Sequence, residues 1–549
     1  MSSITRPPRA GIDVSYRQGN ERIARFLSFF PGPGVLGFIG SLLVAVTSYL
    51  AGVIRFRNSL ADDLNLSYLT FGHGYLASNF VFVLGLSLLI IAWLKLGRMT
   101  VIDARPSIDK RRRAIDRCLF VWLFPLLFSA PIMSRDSYSY LMQGAMVRDG
   151  FNPYEKGAIV DPGPYLGEVS SMWRNTTTPY GPLHLWIGEG ITSIVGSNVS
   201  AGLVCYRILS VAGFLVIMWS VPRIAQALNG DPAMALWLGV ANPMMLIHLV
   251  GGMHNEAVMV ALMTLGVFLA LKHRYAVSIA LLALAISVKA PAAIAVPFVV
   301  WMATNYYSRK NGRRFVAFLV SGLVAVVETL VIMQLINFGS GLTWQWIFQI
   351  SGNSVVVVPL SLPTIISDVA TPFIHLFDPS FHYNAMLATT RKVFSLVMVI
   401  GVAVTWWVFR GDDRRNVIGI ACASFVAYVT NAVAFPWYFA SVIAFLGVIC
   451  PPLWVVNLSV GGSVALALFF TGTGDSLLYK QATGAAILIA GWLATFYVCP
   501  VDVANRPGWR ISRGQTADAQ LPSLSASAQP APVTKENQEA APQAASEPA

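Results

Sequence analysis

The sequence predicts an all-α polytopic membrane protein, and three observations carry that prediction. Of 549 residues, 55% are hydrophobic and only 12% are charged, about half of the roughly 25% charge usual in soluble domains. Mean hydropathy is +0.62. Apolar runs near the roughly 20 residues that cross a bilayer recur along most of the chain. A soluble enzyme, a disordered scaffold and a free nucleic-acid binder are thereby excluded. The bilayer is the first expected partner, and no nucleic acid is expected.

Spans are expected near 34–54, 76–96, 118–133, 200–222, 233–251, 256–272, 275–289, 291–304, 314–337, 393–410, 416–434, 436–450, 453–471 and 480–498, a bundle of about 13–14 helices. The apolar stretch 182–196 carries Glu189 and several glycines, so it reads as re-entrant or interfacial rather than spanning. Residues 1–33 read as a cytoplasmic N-terminal segment, because Arg6, Arg9, Arg17, Arg22 and Arg25 precede the first span. Such basic loops mark the cytoplasmic side. The loop after the second span is basic from Lys95 to Arg117, and Arg309/Lys310 and Arg410/Arg414/Arg415 fall on the same side. Only Arg55 and Arg57, beside Asp62 and Asp63, run against the bias.

That bias also explains the formal net charge of +12 without an acidic partner. No cleavable signal peptide is expected in the Arg-rich start. The segment 499–549, ending APQAASEPA, reads as a disordered cytoplasmic tail, since it is too poor in apolar residues to offset its ordering entropy. The five cysteines show no CxxC and no zinc spacing, so neither disulfide nor metal is indicated, and no cofactor is expected.

Under this topology two long segments face outside, 134–199 and 338–391. The first opens Ser134-Arg135-Asp136-Ser137-Tyr138-Ser139-Tyr140 and continues through Trp173 and Tyr180. Aromatic rings beside carboxylates and amides suit sugars, although the rings alone equally suit an interfacial aromatic belt. Asp136 stands at the mouth of a span, where an ionisable side chain is costly and defaults to a functional reading. Its bland alternatives are an ion pair with Arg135 or helix capping.

Arg207, His248, His254, Asn255, Glu256, Lys289, Trp437 and Tyr438 come from separate regions, yet all fall at the same outer level. For Arg207 and Lys289 the competing reading is snorkelling toward headgroups. An acid among cations at one membrane face suits transfer of a group from a lipid phosphate to a hydroxyl. The cations neutralise the phosphate as it leaves, and the carboxylate takes the hydroxyl proton. Glu328 lies nearer mid-membrane and has no role in this reading. The GxGxxG match at 32–37 follows no strand and enters a span, which excludes dinucleotide binding.

The stretches SRDSYSY, RDGFNPY, PYGPLHLWIG, ALWLGVANPMMLIHLVGGMHNEAVM and the late FPWYF resemble the actinobacterial membrane α-(1→6)-mannopyranosyltransferases, MptB-type, over about residues 35–498. The resemblance implies a GT-C fold: 34–498 as a multispanning domain in the plasma membrane, with the catalytic acid in a long first extracytoplasmic loop. It implies polyprenyl-phosphate mannose as donor and a phosphatidylinositol mannoside or mannan as acceptor. The product would be the α-(1→6) backbone of lipomannan and lipoarabinomannan.

The family's loop aspartate falls on Asp136. Its other roles do not map residue by residue. From topology, Arg207, Lys289 and His254 are expected at the donor phosphate. Arg135, Tyr138, Tyr180, Asn255, Glu256, Trp437 and Tyr438 are expected around the substrate. A β-linked donor and an α-linked product require one inverting displacement with a single base, in contrast to the paired carboxylates of retaining glycosidases. The competing reading is a transporter or flippase of a lipid-linked sugar, which would place its polar groups at the midplane on broken helices.

Overall fold

The computed structural model describes residues 25–57, 59–102, 107–350 and 356–498. The expected tail at 499–549, and the first 24 residues of the expected N-terminal segment, lie outside the described residues. Among the described residues the chain is helical throughout. The single extended pairing is an isolated antiparallel bridge between Phe470 and Ser476.

Among the described residues six helices are long and apolar enough to cross a membrane: Pro33–Ala51, Gly72–Ile102, Val199–Ala227, Arg314–Ser340, Tyr383–Val408 and Gln481–Val498. A seventh candidate is the pair Met245–Gly251 and Glu256–Leu271, bent by 115°. The all-α polytopic class therefore stands, and shorter apolar helices, Tyr275–Val288, Pro436–Ile449 and Leu453–Ala467, cover further runs of the 13–14 expected. Proline, glycine and asparagine break several of the remaining apolar runs, whereas those at 416–434 and 453–471 hold the unbroken helices Asp413–Thr430 and Leu453–Ala467. The run at 233–251 stops at Gly239 and resumes only after Asn242-Pro243, as a π-helical turn over Met245–Gly251. The runs at 275–289 and 291–304 are parted at Lys289-Ala290-Pro291 by a 3-10 segment. The run at 436–450 is a short helix between two 3-10 turns, ended by Cys450 at φ +50°. Proline supplies no N–H and excludes the preceding residue from the helical region, so each break leaves polar backbone that must be satisfied inside the protein.

The two segments expected as external loops are also largely helical. The first holds the helices Asp136–Arg148 and Pro182–Val195, and the second holds Leu362–His375 and the start of Tyr383–Val408.

Helices pack where small residues permit. The helix Pro33–Ala51 lies against Gly72–Gly97, and a Cβ on Gly40 would stand 2.6 Å from the Gly85 carbonyl oxygen. Gly461 and Gly491 face each other in the same way between the last two helices. In lipid, where apolar surface gains nothing from leaving water, close backbone approach is what holds helices together. Trp93 and Trp237 tie two helices reciprocally: each indole N–H donates to the other's backbone carbonyl at 2.9 Å, with the rings stacked. By contrast, only 11% of the apolar window is buried in each of Arg314–Ser340 and Tyr383–Val408, so both present most of their surface to lipid.

Candidate active site

Two turns with left-handed backbone deliver the central residues. Met133, at φ +63°, precedes Asp136, and Met253, at φ +55°, precedes His254. Bulky residues rarely hold that conformation, and where they do the surrounding structure must over-determine it. The first turn is pinned. Met133 N–H donates to the Gly472 carbonyl, and the Asp136 N–H donates to the Ser134 hydroxyl at 3.1 Å.

Asp136 opens the helix Asp136–Arg148. One of its carboxylate oxygens lies 3.3 Å from His254 Nδ1 and 3.4 Å from the hydroxyl of Tyr140, one helical turn along. Burial alone would raise the Asp136 carboxyl. The hydrogen bond and charge of His254, the Ser134 hydroxyl and the charge of Lys289 outweigh it, and the group sits below its ordinary value. The His254 side chain is fully buried, and its ring is clamped flat on Trp437 with centroids 3.7 Å apart. Asp136 keeps 18% of its side chain exposed and reaches the cavity. The carboxylate thus faces solvent, and the imidazole orients it from behind.

Glu256 begins the helix after His254 and pairs with Lys289, both buried. The Lys289 ammonium stands 4.4 Å from the ring centre of Tyr438 and 5.4 Å from that of Tyr180. Gly181 makes that last contact possible. Its N–H donates to the Val288 carbonyl, and a Cβ there would meet the Ser287 carbonyl oxygen at 2.3 Å. Tyr140, Tyr180 and His184 pack edge to face within 5.4 Å of one another. Burial, with Lys289 nearby, pushes His184 down to about 3, so this imidazole is neutral.

In front of this group is a cavity of about 480 Å³, walled by Arg135, Asp136, Tyr180, Trp437 and Tyr438. Asp475, Trp173 and Tyr479 also line it. Among the described residues no three His, Cys, Asp or Glu side chains converge in a way that would hold a metal ion.

Seven residues expected from the sequence are therefore assembled here: Asp136, His254, Glu256, Lys289, Tyr180, Trp437 and Tyr438. Asn255, also expected here, is buried at the cap of the Glu256 helix. Three others are placed differently. Arg135 lines the cavity, but its guanidinium donates to the Glu168 carboxylate at 2.8 Å and rests on Phe56, so it does not pair with Asp136. Tyr138 is two residues past Asp136 and so on the opposite helix face; its hydroxyl donates to the Val53 carbonyl. Arg207 stands apart from the group, donating to the backbone carbonyls of Val250, Ser129 and Ala130. The carbonyls freed by the turns at 129–133 and 250–253 capture it before it can reach Asp136.

The sequence reading missed Tyr140, His184, Glu168 and Asp475 at this site. Tyr140 was findable, since it lies four residues after Asp136 on one helix. Asp475 sits in the turn TGTGDS, and nothing local marks it.

Comparison with known proteins places the chain in a family. The family profile described as "Alpha-(1->6)-mannopyranosyltransferase, N-terminal domain" matches residues 34–305, and the "MptB C-terminal domain" profile matches 363–499. A protein of Corynebacterium glutamicum named alpha-(1->6)-mannopyranosyltransferase A is 47% identical over 472 residues, covering 83% of this chain and 96% of that one. The chain belongs to the α-(1→6)-mannopyranosyltransferase family. A Mycobacterium tuberculosis protein, also named alpha-(1->6)-mannopyranosyltransferase A, is 34% identical over 82% of this chain and 86% of its own length. The C. glutamicum protein named alpha-(1->6)-mannopyranosyltransferase B is 25% identical over 83% and 81%. In this chain the candidate site draws on both matched regions: Asp136, His254 and Lys289 lie in the first, Trp437 and Asp475 in the second.

Proposed function

We propose that this protein is a multi-pass membrane mannosyltransferase that extends a lipid-anchored mannoside through α-(1→6) links, drawing on polyprenyl-phosphate mannose. The observation that carries the reading is Asp136, a carboxylate held by a buried histidine at the edge of an aromatic-walled cavity, in a chain of the α-(1→6)-mannopyranosyltransferase family. The acceptor's primary hydroxyl oxygen attacks the anomeric carbon while the bond from that carbon to the phosphate oxygen breaks. The bonding pair leaves with polyprenyl phosphate, and the hydroxyl proton passes to Asp136. Displacement from the face opposite the phosphate converts a β-linked donor to an α-linked product in one step.

The aromatic rings of Tyr180, Trp437 and Tyr438 suit the C–H faces of the sugars, and Lys289 is a cation whose charge acts on Asp136. In this reading it offsets charge building on the phosphate. The cavity faces the outside of the plasma membrane in this reading, where the growing lipomannan or lipoarabinomannan backbone would lie.

The test is direct. Purified protein in nanodiscs, given radiolabelled polyprenyl-phosphate mannose and short phosphatidylinositol mannosides, yields products whose added residue is removed by an α-(1→6)-specific mannosidase. Asp136→Asn, at unchanged expression and melting temperature, loses transfer by at least about 10²-fold, the lower end for a lost general base. Transfer that survives in Asp136→Asn removes the assigned base. Products of another linkage remove the assigned reaction.

A further inference from the structure

On the far side of the segment carrying Asp136 is a second cavity, of about 1010 Å³, that the transfer reaction does not use. Apolar side chains such as Phe128, Leu203, Ile208 and Leu215 form most of its wall, and Arg207 lines it. Arg207 is only 6% exposed. Three of its bonds go to backbone carbonyls, and among the described residues no carboxylate pairs with it. A guanidinium carries five N–H donors, so donors remain after those bonds. Carbonyl dipoles satisfy hydrogen bonds without cancelling a charge, and an uncompensated charge at this burial is costly.

The mouth is a different environment. Arg55 stands there with Asp63, and its guanidinium lies 3.6 Å from Glu168, an acid already bonded to Arg135. The mouth thus holds carboxylates beside its arginines, whereas the deep arginine, beneath apolar walls, has none among the described residues. A group that is both anionic and attached to hydrocarbon fits both features.

We propose that this cavity is a binding site for an anionic diacyl phospholipid, its phosphodiester paired with Arg207 and its acyl chains along the wall from Leu203 to Leu215. The mannosyl donor is not this occupant. In a glycosyl phosphate the phosphate oxygen is bonded to the reacting carbon, so the donor phosphate must lie beside Asp136. Asp136, His254, Glu256 and Lys289 are all absent from this cavity's wall. Tyr138 and Met253, which do line it, belong to the partition between the two spaces. A non-reacting phospholipid has no such constraint, and a phosphodiester matches a guanidinium bidentately.

The experiment uses the full chain in nanodiscs with photoactivatable lipids bearing the diazirine on an acyl chain. The probes are phosphatidylglycerol, phosphatidylcholine and polyprenyl phosphate, and crosslinked peptides are read by mass spectrometry. Phosphatidylglycerol is expected to label peptides spanning 127–131 and 199–215 about tenfold over phosphatidylcholine, whose phosphodiester brings a quaternary ammonium that repels the guanidinium, a difference on the order of one screened charge pair.

Arg207→Gln should bring that labelling down to the phosphatidylcholine level, and Arg207→Lys should restore part of it. Leu203→Trp, one helical turn before Arg207 on the same wall, fills the cavity while leaving the guanidinium in place, and it should also abolish the labelling. Equal labelling by the two diacyl lipids would mean ordinary boundary lipid, and preferred labelling by polyprenyl phosphate would mean the donor lipid. Labelling indifferent to all three variants would place the lipid elsewhere. Each of these overturns the proposal, and none depends on whether the protein transfers mannose.

Discussion

His184 and Asp136 illustrate how much a single side chain's surroundings decide. Both are lowered from their ordinary values, for different reasons: burial disfavours the charged imidazole, whereas His254 and Lys289 favour the charged carboxylate. For Asp136 the consequence concerns catalysis. The carboxylate is ready to accept a proton across the neutral range, so its acid limb in kcat/KM should lie below about pH 4, the ordinary aspartate value. For His184 the consequence is stability. The unfolded imidazole gains its proton near pH 6.5, whereas in the fold it stays neutral down to about 3. Stability is therefore complete above pH 6.5 and falls on acidification, by about 2 kcal/mol at pH 5. The groups around the ring are Tyr140, Tyr180 and Tyr206, with Lys289 and Asp136 acting through their charges. Thermal unfolding at pH 7 and pH 5 should show a smaller pH difference in His184→Gln than in the natural protein. An equal difference in the two would mean that His184 titrates normally.

At the scale of elements, the helices Asp136–Arg148 and Pro182–Val195 meet at two glycines. A Cβ on Gly144 would stand 2.3–2.7 Å from the Gly188 backbone, so Gly144→Ala must push the helices apart, at a cost of about 1–3 kcal/mol. The same shift would separate Tyr140 from His184 and loosen the wall behind Asp136, lowering transfer together with melting temperature. Gly190, on the second helix, is the control: a Cβ there meets nothing within 4 Å. Gly190→Ala should be neutral or stabilising by up to about 1 kcal/mol through helix propensity. If both substitutions melt alike, the close approach at Gly144 is not what holds these helices. The sequence displayed these glycines without showing that they face each other. A glycine in an apolar run signals a break or a close contact equally well, and only the neighbouring helix distinguishes them.

For the whole molecule, Arg111 shows where charge counting stops being informative. It belongs to the basic loop after the second span and contributes to orientation, yet its guanidinium is buried and donates to Asp231 at 2.8 Å and to the Thr100 carbonyl. Arg111→Met would strand the Asp231 carboxylate, for a loss of about 3–5 kcal/mol. Melting temperature should fall sharply while KM for the surviving protein stays unchanged. A small loss would show that water reaches the pair. Orientation itself is open to a separate measurement. Asp149, exposed at the end of the Asp136 helix, should react from outside intact cells as Asp149→Cys with a membrane-impermeant maleimide. Labelling only after permeabilisation would reverse the topology and the proposed reaction with it.

The sequence by itself determined the class of molecule, because composition and apolar run length answer to the bilayer and need no knowledge of contacts. It also isolated Asp136, the His254-Asn255-Glu256 run and Lys289, since charges among apolar residues stand out wherever they fold. It could not decide which way each charge turns. Arg207 and Arg135 lie as close to Asp136 in topology as Lys289 does, but freed carbonyls claim the first and Glu168 the second. Nor could it distinguish a straight span from a broken one, because proline and glycine permit a bend whose angle is set by the helices packed against it. Those choices belong to tertiary structure, where each buried donor must find its acceptor among groups far apart in the chain.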